Sequence, residues 1–169
     1  RSPSRGLGDV YKRQFHGFKN FIFLNSHGGN QGIGQVILET LGYKFQNCNF
    51  NLITWWKLAN QELKKMNDSG PGGTGHAGEF ETSLMLFIAP DLVHKDKIIS
   101  PSDQKFDPLI GDMINPPSIS YFQTLKKMSP NGVVGNPDVS SIKKGEKISD
   151  VIITKLVNLV KNLNYIDKL

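Results

Sequence analysis

A histidine among glycines and asparagines follows a short apolar segment near the start of the chain. Phe21-Ile22-Phe23-Leu24 is an apolar run, and Asn25-Ser26-His27-Gly28-Gly29-Asn30 comes directly after it. The run predicts a buried strand of a parallel sheet. Open α/β sheets bind their ligands at the carboxyl ends of the strands, and the two glycines let the backbone approach a ligand of the imidazole closely. The segment therefore predicts an α/β fold with a ligand site at His27.

A second polar block opens a later helix. It consists of Gly75-His76-Ala77-Gly78-Glu79-Phe80-Glu81-Thr82-Ser83, and the apolar residues 84–89 follow it. Glu79 and Glu81 are two residues apart, so on a helix their carboxylates point to different sides and at most one faces the same site as His76. Two histidines and two carboxylates at the ends of regular elements predict a metal-dependent hydrolase.

The residues of this block have different expected surroundings. A carboxylate in the first turn of a helix interacts well with the helix dipole, and this interaction is sufficient to explain a glutamate at position 79. Glu81 precedes a stretch that we expect to be deeply packed, and a buried carboxylate needs a cation. His76 lies in a glycine-rich loop, and histidine titrates near neutrality, as a proton shuttle must.

Other roles for His27 stay open. A histidine at this position also caps a strand end or bonds to a backbone carbonyl, and Gly28 and Gly29 also suit an anion or a phosphate. Walker spacing and a dinucleotide fingerprint are both absent from the sequence. If the imidazole binds a ligand, Asn25 and Asn30 are placed to hold it in one tautomer.

The order of predicted elements indicates a parallel α/β arrangement. We predict that Asn30 caps the first helix, that Gly42 ends it and that Pro90 stops the third. The predicted strands cover residues 21–25, 49–54 and 119–124, and the predicted helices cover residues 31–41, 55–66, 78–88 and, at the end of the chain, a long amphipathic stretch within 139–163.

The composition is that of one ordinary globular domain. The chain has 169 residues, of which 38% are hydrophobic and 21% charged. The net charge of +5 does not indicate nucleic acid, because the pairs Lys64-Lys65, Lys126-Lys127 and Lys143-Lys144 are expected on solvated helix faces. The longest apolar stretch is too short for a bilayer, and the single cysteine, Cys48, predicts a reducing, cytoplasmic setting.

The first 14 residues differ from the rest of the chain. They show no periodicity and carry four basic residues against one aspartate. Residues 1–14 resemble translated adapter sequence, so we expect a non-native leader there, and in residues 15–169 a truncated domain that begins partway through.

The remaining candidates are mostly structural. Trp55 and Trp56 follow a predicted strand, so we expect one to line a pocket and the other to pack. His16 and His94 are isolated and are interpreted as surface or structural residues. Cys48 has no neighbouring base and is not expected to be a nucleophile. No Gly-x-Ser-x-Gly elbow is present, which argues against a serine hydrolase.

Three segments together resemble the creatininase (creatinine amidohydrolase) family. Asn25 to Asn30 is similar to that family's Asn-Gly-His-Gly-Gly-Asn motif, and the block that begins at Gly75 is similar to its second signature. Gly132-Val133-Val134-Gly135-Asn136-Pro137 with Lys144-Gly145-Glu146 resembles its C-terminal block. The resemblance implies a three-layer α/β/α fold with a mainly parallel sheet, and a homo-oligomer, often a hexamer.

The resemblance also implies roles for single residues. His27 and Glu81 match metal ligands, and His76 matches the catalytic histidine that handles the proton on the amide. Trp56 matches a tryptophan that lines the substrate pocket, with Gly28 and Gly29 against the substrate. The family site holds two divalent ions, zinc or manganese, and a bridging water as nucleophile.

Two departures from the family bear on metal binding, besides the smaller changes of glycine to Ser26 and of aspartate to Asn136. The family's first motif, Glu-x-His-Gly-x-His-Leu followed by an aspartate, is absent, and with it a glutamate, a histidine and a bridging aspartate. Gly29 stands where creatininase itself has a metal-binding glutamate, which weakens creatinine as the specific substrate.

The resulting prediction is a metal-dependent hydrolase of a non-peptide C–N bond, above all of a cyclic amide, without nucleic-acid or membrane partners. This chain alone is expected to be inactive, because metal ligands are missing. The alternative is an inactive fragment, or a binding or assembly subunit that keeps the fold.

Overall fold

A computed structural model of the chain describes residues 12–100 and 106–166, with side-chain surroundings up to residue 163. Most of the predicted leader lies outside these residues. The described residues fall into two compact units. The first holds those up to Leu58 together with residues from Asn162 onward, and the second is Ala59–Lys161.

The first unit contains a parallel strand pair joined by a helix. Strands β1 (Asn20–Asn25) and β2 (Asn49–Thr54) run parallel, with Asn25 opposite Thr54 at their carboxyl ends. Helix α1 (Asn30–Lys44) connects them, as a parallel crossover requires. The core around this pair has Leu41, Phe45 and Cys48 buried, with Phe21, Phe23 and Phe50 packed against them. Both strands lie where the sequence predicts them.

Helix α1 corrects two predictions about its ends. Gly42 does not end the helix, which continues to Lys44, and Asn30 does not cap it, since the N-cap is Gly29 and no side chain makes a capping bond. A glycine inside a helix costs only about 1 kcal/mol relative to alanine. Leu41 and Phe45, four residues apart and both buried, favour continuation of the helix past Gly42.

The Trp55–Met66 segment forms two short helices rather than one. Helix α2 is Trp55–Leu58 and helix α3 is Asn60–Met66. Between them Ala59 is fully buried and leaves helical geometry, with φ −99° and ψ 12°. The helical spacing is read correctly from the sequence, but packing of the small residue interrupts the helix.

The second unit is helical. After α3 it contains α4 (Glu79–Ile88), 3₁₀ turns at Pro90–Leu92 and Lys95–Lys97, α5 (Leu125–Met128) and most of α6 (Ile142–Ile166). Its most buried side chains include Leu63, Phe80, Ile114 and Ile148. None of the helices in the described part of the chain is both long and apolar enough to cross a membrane.

The strand predicted over residues 119–124 is wrong. These residues form no regular structure, and Ile119, Tyr121 and Phe122 are exposed. The backbone N–H of Ile119 donates to the carbonyl of Leu109. The apolar residues there are not paired to a second strand among the described residues, and an isolated segment of this kind does not form a stable strand.

Candidate functional site

His27 follows β1 directly and is held through its backbone. Its N–H donates to Asn25 Oδ1 at 3.1 Å, and Asn25 Nδ2 donates to Thr54 Oγ1 at 3.1 Å. Asn25 is buried, so it ties the carboxyl end of β1 to that of β2 and fixes the start of the histidine loop. Asn30 is exposed, and its N–H donates to the carbonyl of His27.

The imidazole of His27 is exposed and contacts the glycines after it. The N–H of Gly29 donates to His27 Nδ1 at 3.1 Å, so the neutral ring carries its proton on Nε2. A Cβ at position 29 would lie 3.2 Å from both Cε1 and Nδ1 of that ring. A metal ion at Nε2 would therefore require the ring proton to move to Nδ1 and the Gly29 bond to be released.

His76 and Glu81 lie together at the start of α4. His76 Nδ1 is 3.7 Å from Glu81 Oε2, and the two side chains are 50% and 30% exposed. Glu81 Oε2 also accepts the N–H of Ala77 at 2.7 Å, a short bond of the kind made by first-turn carboxylates. The structure thus places an accessible imidazole beside a carboxylate whose orientation the backbone fixes.

Ala77, between these two residues, has an unusual backbone. Its φ is +51°, in the left-handed region that residues other than glycine rarely adopt. Its carbonyl accepts Thr82 Oγ1 at 3.0 Å, and the neighbouring carbonyl of His76 accepts the N–H of Val134 at 2.7 Å. Such conformations cost about 1–3 kcal/mol and persist where the surroundings hold them. Here the two hydrogen bonds hold the carbonyls of Ala77 and of His76 before it.

The surroundings of the two glutamates are the reverse of the sequence prediction. Glu81 is partly exposed, whereas Glu79 is completely buried. The Glu79 carboxylate accepts the N–H groups of Asp68 and Ser69, both at 3.0 Å, and it pairs with Lys144. Helix-dipole interaction alone is therefore an insufficient account of Glu79. It is the buried carboxylate of this helix, and Lys144 is its cation.

The prediction for Lys144 is also wrong, because the sequence predicts this residue on a solvated helix face. Its side chain is 11% exposed and forms ion pairs with Glu79 and with Asp68. Burial disfavours its charged form, but the hydrogen bonds to Asp68 and Glu79 outweigh that effect and raise the pKa of Lys144. The hydrogen bond from Lys144 to Asp68, together with the charge of the ammonium group, lowers the pKa of Asp68.

The segment before α6 packs against the glycine-rich loop that carries His76. The N–H of Asn136 donates to the carbonyl of Gly73 at 2.9 Å. Gly135 has φ +148°, and a Cβ there would lie 2.7 Å from that carbonyl oxygen and 2.9 Å from the Cα of Gly78. Only glycine allows this approach. The Gly-Asn-Pro segment therefore supports the histidine loop from outside.

A pocket of about 330 Å³ lies against the face of α4 that carries Glu81. Its other lining residues are largely apolar and include Ala77, Met85, Val93, Ile98 and Pro137. A mostly apolar pocket with a few polar groups is the usual form of a small-molecule site.

The described residues do not by themselves form a complete metal site. Within residues 12–100 and 106–166, no three or more His, Cys, Asp or Glu residues are grouped so that they could hold an ion. His76 and Glu81 offer nitrogen and oxygen donors of the types that zinc accepts, but a catalytic zinc has three protein ligands. His27 belongs to the first unit and the pair to the second, so the shared metal site that the family resemblance implies for His27 and Glu81 stays a prediction.

The other candidates lie mostly in structural positions. Trp55 and Trp56 are both buried and pack edge to face, with ring centroids 5.4 Å apart. Cys48 is a buried free thiol. His16 and His94 are exposed.

Sequence reasoning missed Lys144 and Asp68 as neighbours of the site. The available signal was the requirement that a buried carboxylate have a cation. Applied to Glu79 instead of Glu81, it would have directed attention to the Lys-Gly-Glu segment.

Comparisons with known proteins agree with this architecture. The family model for creatininase, creatinine amidohydrolase, matches residues 10–160. The creatinine amidohydrolase of Pseudomonas putida is 23% identical over 155 residues, which are 86% of this chain and 56% of the relative. The 3-dehydro-scyllo-inosose hydrolase of Thermotoga maritima is 24% identical over 160 residues, 87% of this chain and 51% of the relative.

A third relative is a mycofactocin precursor peptide peptidase of Mycolicibacterium smegmatis, 23% identical over 140 residues, 83% of this chain and 48% of the relative. The chain thus spans about half the length of the curated relatives it matches.

Solved structures show the same fold. A creatininase variant of the Zn-Zn type superposes with a TM-score of 0.64 at 22% identity, covering 92% of this chain and 60% of that one. A creatininase variant complexed with creatine gives a TM-score of 0.60 at 23% identity, covering 92% and 61%. This likeness confirms the predicted α/β fold.

Proposed function

Because the chain belongs to the creatininase family, we propose that it works in a metal-dependent hydrolase that cleaves a carbon–nitrogen bond of a cyclic amide. The observation that carries the proposal is the pair of His76 and Glu81, with Nδ1 and Oε2 3.7 Å apart at an accessible helix start beside an apolar pocket. A positioned imidazole next to a carboxylate is an arrangement that moves protons in hydrolysis.

His76 is the proton carrier in this proposal. Its ring is half exposed, so a substrate can reach it, and the carboxylate of Glu81 lies 3.7 Å from its Nδ1. Hydrolysis of an amide needs a proton on the leaving nitrogen, and the imidazolium delivers it there. The next residue, Ala77, has a left-handed backbone, and its carbonyl is bonded by Thr82 Oγ1.

His27 and Glu81 are proposed as metal ligands, as the resemblance of their motifs to those of the creatininase family implies. A divalent ion supplies Lewis-acid activation of water and of the amide carbonyl. The Ala77 amide fixes one carboxylate oxygen of Glu81. Zinc is the favoured ion because one of the similar structures is a creatininase of the Zn-Zn type. Manganese is an alternative.

The names of two of the three relatives support carbon–nitrogen bond cleavage, whereas that of the 3-dehydro-scyllo-inosose hydrolase does not. An amidohydrolase and a peptidase both hydrolyse amide bonds, and creatinine is a cyclic amide. The similar structure complexed with creatine supports a small polar substrate. An oligomeric assembly and a cytoplasmic location are part of the same proposal.

A second candidate is a non-catalytic binding or assembly subunit with the same fold. It is favoured by the incomplete donor set, because within residues 12–100 and 106–166 no three candidate ligands are grouped. This candidate predicts that the protein binds neither zinc nor manganese stoichiometrically and does not turn over cyclic amides.

The test combines metal analysis with kinetics on a longer form of the protein that carries the family's first motif, because this chain alone is expected to be inactive. The protein is supplied with zinc or manganese and a panel of cyclic amides. His27→Ala is expected to lower metal content, since it removes a ligand. His76→Ala is expected to keep the metal and to lower turnover by about 10²–10⁴. His16→Ala is the control, because His16 is an exposed histidine outside the site.

Two results would contradict these assignments. If His76→Ala loses metal and His27→Ala does not, the roles of the two histidines are reversed. If neither variant changes metal content or rate, the site is elsewhere and the binding-subunit candidate is favoured.

A further inference from the structure

We propose that Lys144 is a positioning residue: through the buried carboxylate of Glu79 it fixes the loop of residues 67–78, and thereby the place of His76 against Glu81. The chemical importance of that placement rests on the proposed function. The placement of His76 is a property of the fold, and NMR tests it independently of turnover.

The Glu79 carboxylate binds the first residues of the loop. One oxygen accepts the N–H of Asp68 and the ammonium of Lys144, and the other accepts the N–H and the hydroxyl of Ser69. Three of these four donors belong to the first residues of the loop. Because Glu79 is completely buried, these bonds replace water that the carboxylate would otherwise need.

The ammonium of Lys144 is held just as fully. Its three donors go to Asp68 Oδ2 at 2.6 Å, to Glu79 Oε1 and to the carbonyl of Val139 at 3.1 Å. An ammonium group has three protons, so each proton has a partner. The position of Lys144 is thus determined by the loop, by α4 and by the segment that leads into α6.

The constraint reaches His76 along the backbone. The carbonyl of Gly73 accepts the N–H groups of Glu79 and Asn136, at 3.1 and 2.9 Å, and the carbonyl of His76 accepts that of Val134 at 2.7 Å. Residues 134–139 are therefore bonded to the loop at one end and to Lys144 at the other. Without the ammonium, the buried carboxylate loses its cation, and the loop start must open to admit water or a proton.

A second lysine of α6 provides a matched control. Lys155 Nζ pairs with Glu62 Oε1 at 3.0 Å, again joining α6 to a carboxylate on another helix. Both side chains are about one third exposed, and Glu62 lies outside the loop. Loss of this pair removes a lysine and an ion pair, but the carboxylate left behind belongs to a side chain that is 35% exposed rather than completely buried.

The experiment compares the ¹⁵N-labelled full chain with its Lys144→Met and Lys155→Met variants by NMR. Lys144→Met is expected to lower the hydrogen-exchange protection of the Asp68 and Ser69 amides by about tenfold or more, and to move the His76 ring resonances. The ring resonances of His16 should stay in place. Lys155→Met is expected to leave the Asp68, Ser69 and His76 signals unchanged. Unchanged His76 resonances in folded Lys144→Met would overturn the proposal.

If Lys144→Met does not fold, the neutral double variant Glu79→Gln with Lys144→Met takes its place. It buries no unpaired charge, yet it replaces a carboxylate oxygen with an amide NH₂ that cannot accept the loop's N–H groups. Displaced His76 resonances are expected there too, and parental His76 resonances would refute the positioning role.

Kinetics separate this proposal from the function it rests on. In protein with measurable turnover, Lys144→Met is expected to lower kcat at least tenfold and to change KM by less than about twofold, because a misplaced proton donor affects mainly the transition state. Full turnover in His76→Ala would reject the proposed function and leave the NMR result to decide the positioning. A rise in KM alone with Lys144→Met would refute the positioning role.

Discussion

Replacement of Gly145 by alanine tests a close contact between α6 and α4. Gly145 is buried in the first turns of α6, directly after Lys144. A Cβ at this position would overlap the carbonyl group of Ser83 and would lie 2.8 Å from Phe87 Cβ. The two helices touch backbone to backbone here, and glycine is what permits the contact.

Two effects of opposite sign decide the outcome. Alanine in place of glycine favours a helix interior by about 1 kcal/mol, whereas an overpacked core costs about 1–3 kcal/mol. The obstacle is a backbone carbonyl that cannot rotate away, so the cost should fall in the upper part of that range. We expect Gly145→Ala to lower the free energy of unfolding by about 1–2 kcal/mol, and Tm by about 2–8 °C.

Gly42→Ala is the matched control. Gly42 also lies inside a helix, but a Cβ there would meet no heavy atom within 4 Å. Only the helix propensity then acts, and stability should rise by about 0.5–1 kcal/mol. Urea unfolding followed by circular dichroism measures both variants. A Gly145→Ala variant as stable as the parent would show that α4 and α6 do not touch at this glycine.

Three further predictions concern the site. Below about pH 10.5 the raised pKa of Lys144 contributes stability, which is lost as the pH rises through the folded-state pKa. The free energy of unfolding of the parent, measured with urea, should therefore fall more steeply above pH 10 than that of Lys144→Met, and parallel curves would contradict this. Gly29→Ala should displace the His27 imidazole, since the added methyl lies 3.2 Å from its ring. NMR chemical shifts of the His27 ring measure this displacement, and unchanged shifts would show that position 29 does not contact the ring. Glu81→Gln should lower metal content and turnover together, whereas loss of turnover alone would remove Glu81 from the ligands.

The sequence predicts best what depends on neighbouring residues. Both parallel strands and the position of His27 after β1 follow from an apolar run and the polar residues directly after it. The same local reasoning fails at Gly42, because the buried Leu41 and Phe45 outweigh the preference of glycine for helix ends. It also fails over residues 119–124, where strand-forming residues do not pair with a second strand among those described.

The electrostatics of the site depend on distant residues. Glu79 lies on the buried face of α4 with Phe80, Ser83 and Leu86, and its cation is Lys144, 65 residues further along the chain. The local pattern does not identify that partner. His76 and Glu81, by contrast, are only five positions apart, and both stand in one motif of the sequence.

The left-handed backbone of Ala77 has a consequence for motion at the histidine. An alanine in this conformation occupies a small well with steric barriers around it, whereas a glycine would move through a broad continuous basin. The loop therefore cannot drift by small steps in φ at this residue; it either stays in the well or crosses to a distant one. Excursions of His76 should accordingly be infrequent jumps between discrete orientations, and Ala77→Gly should convert them into a continuous spread.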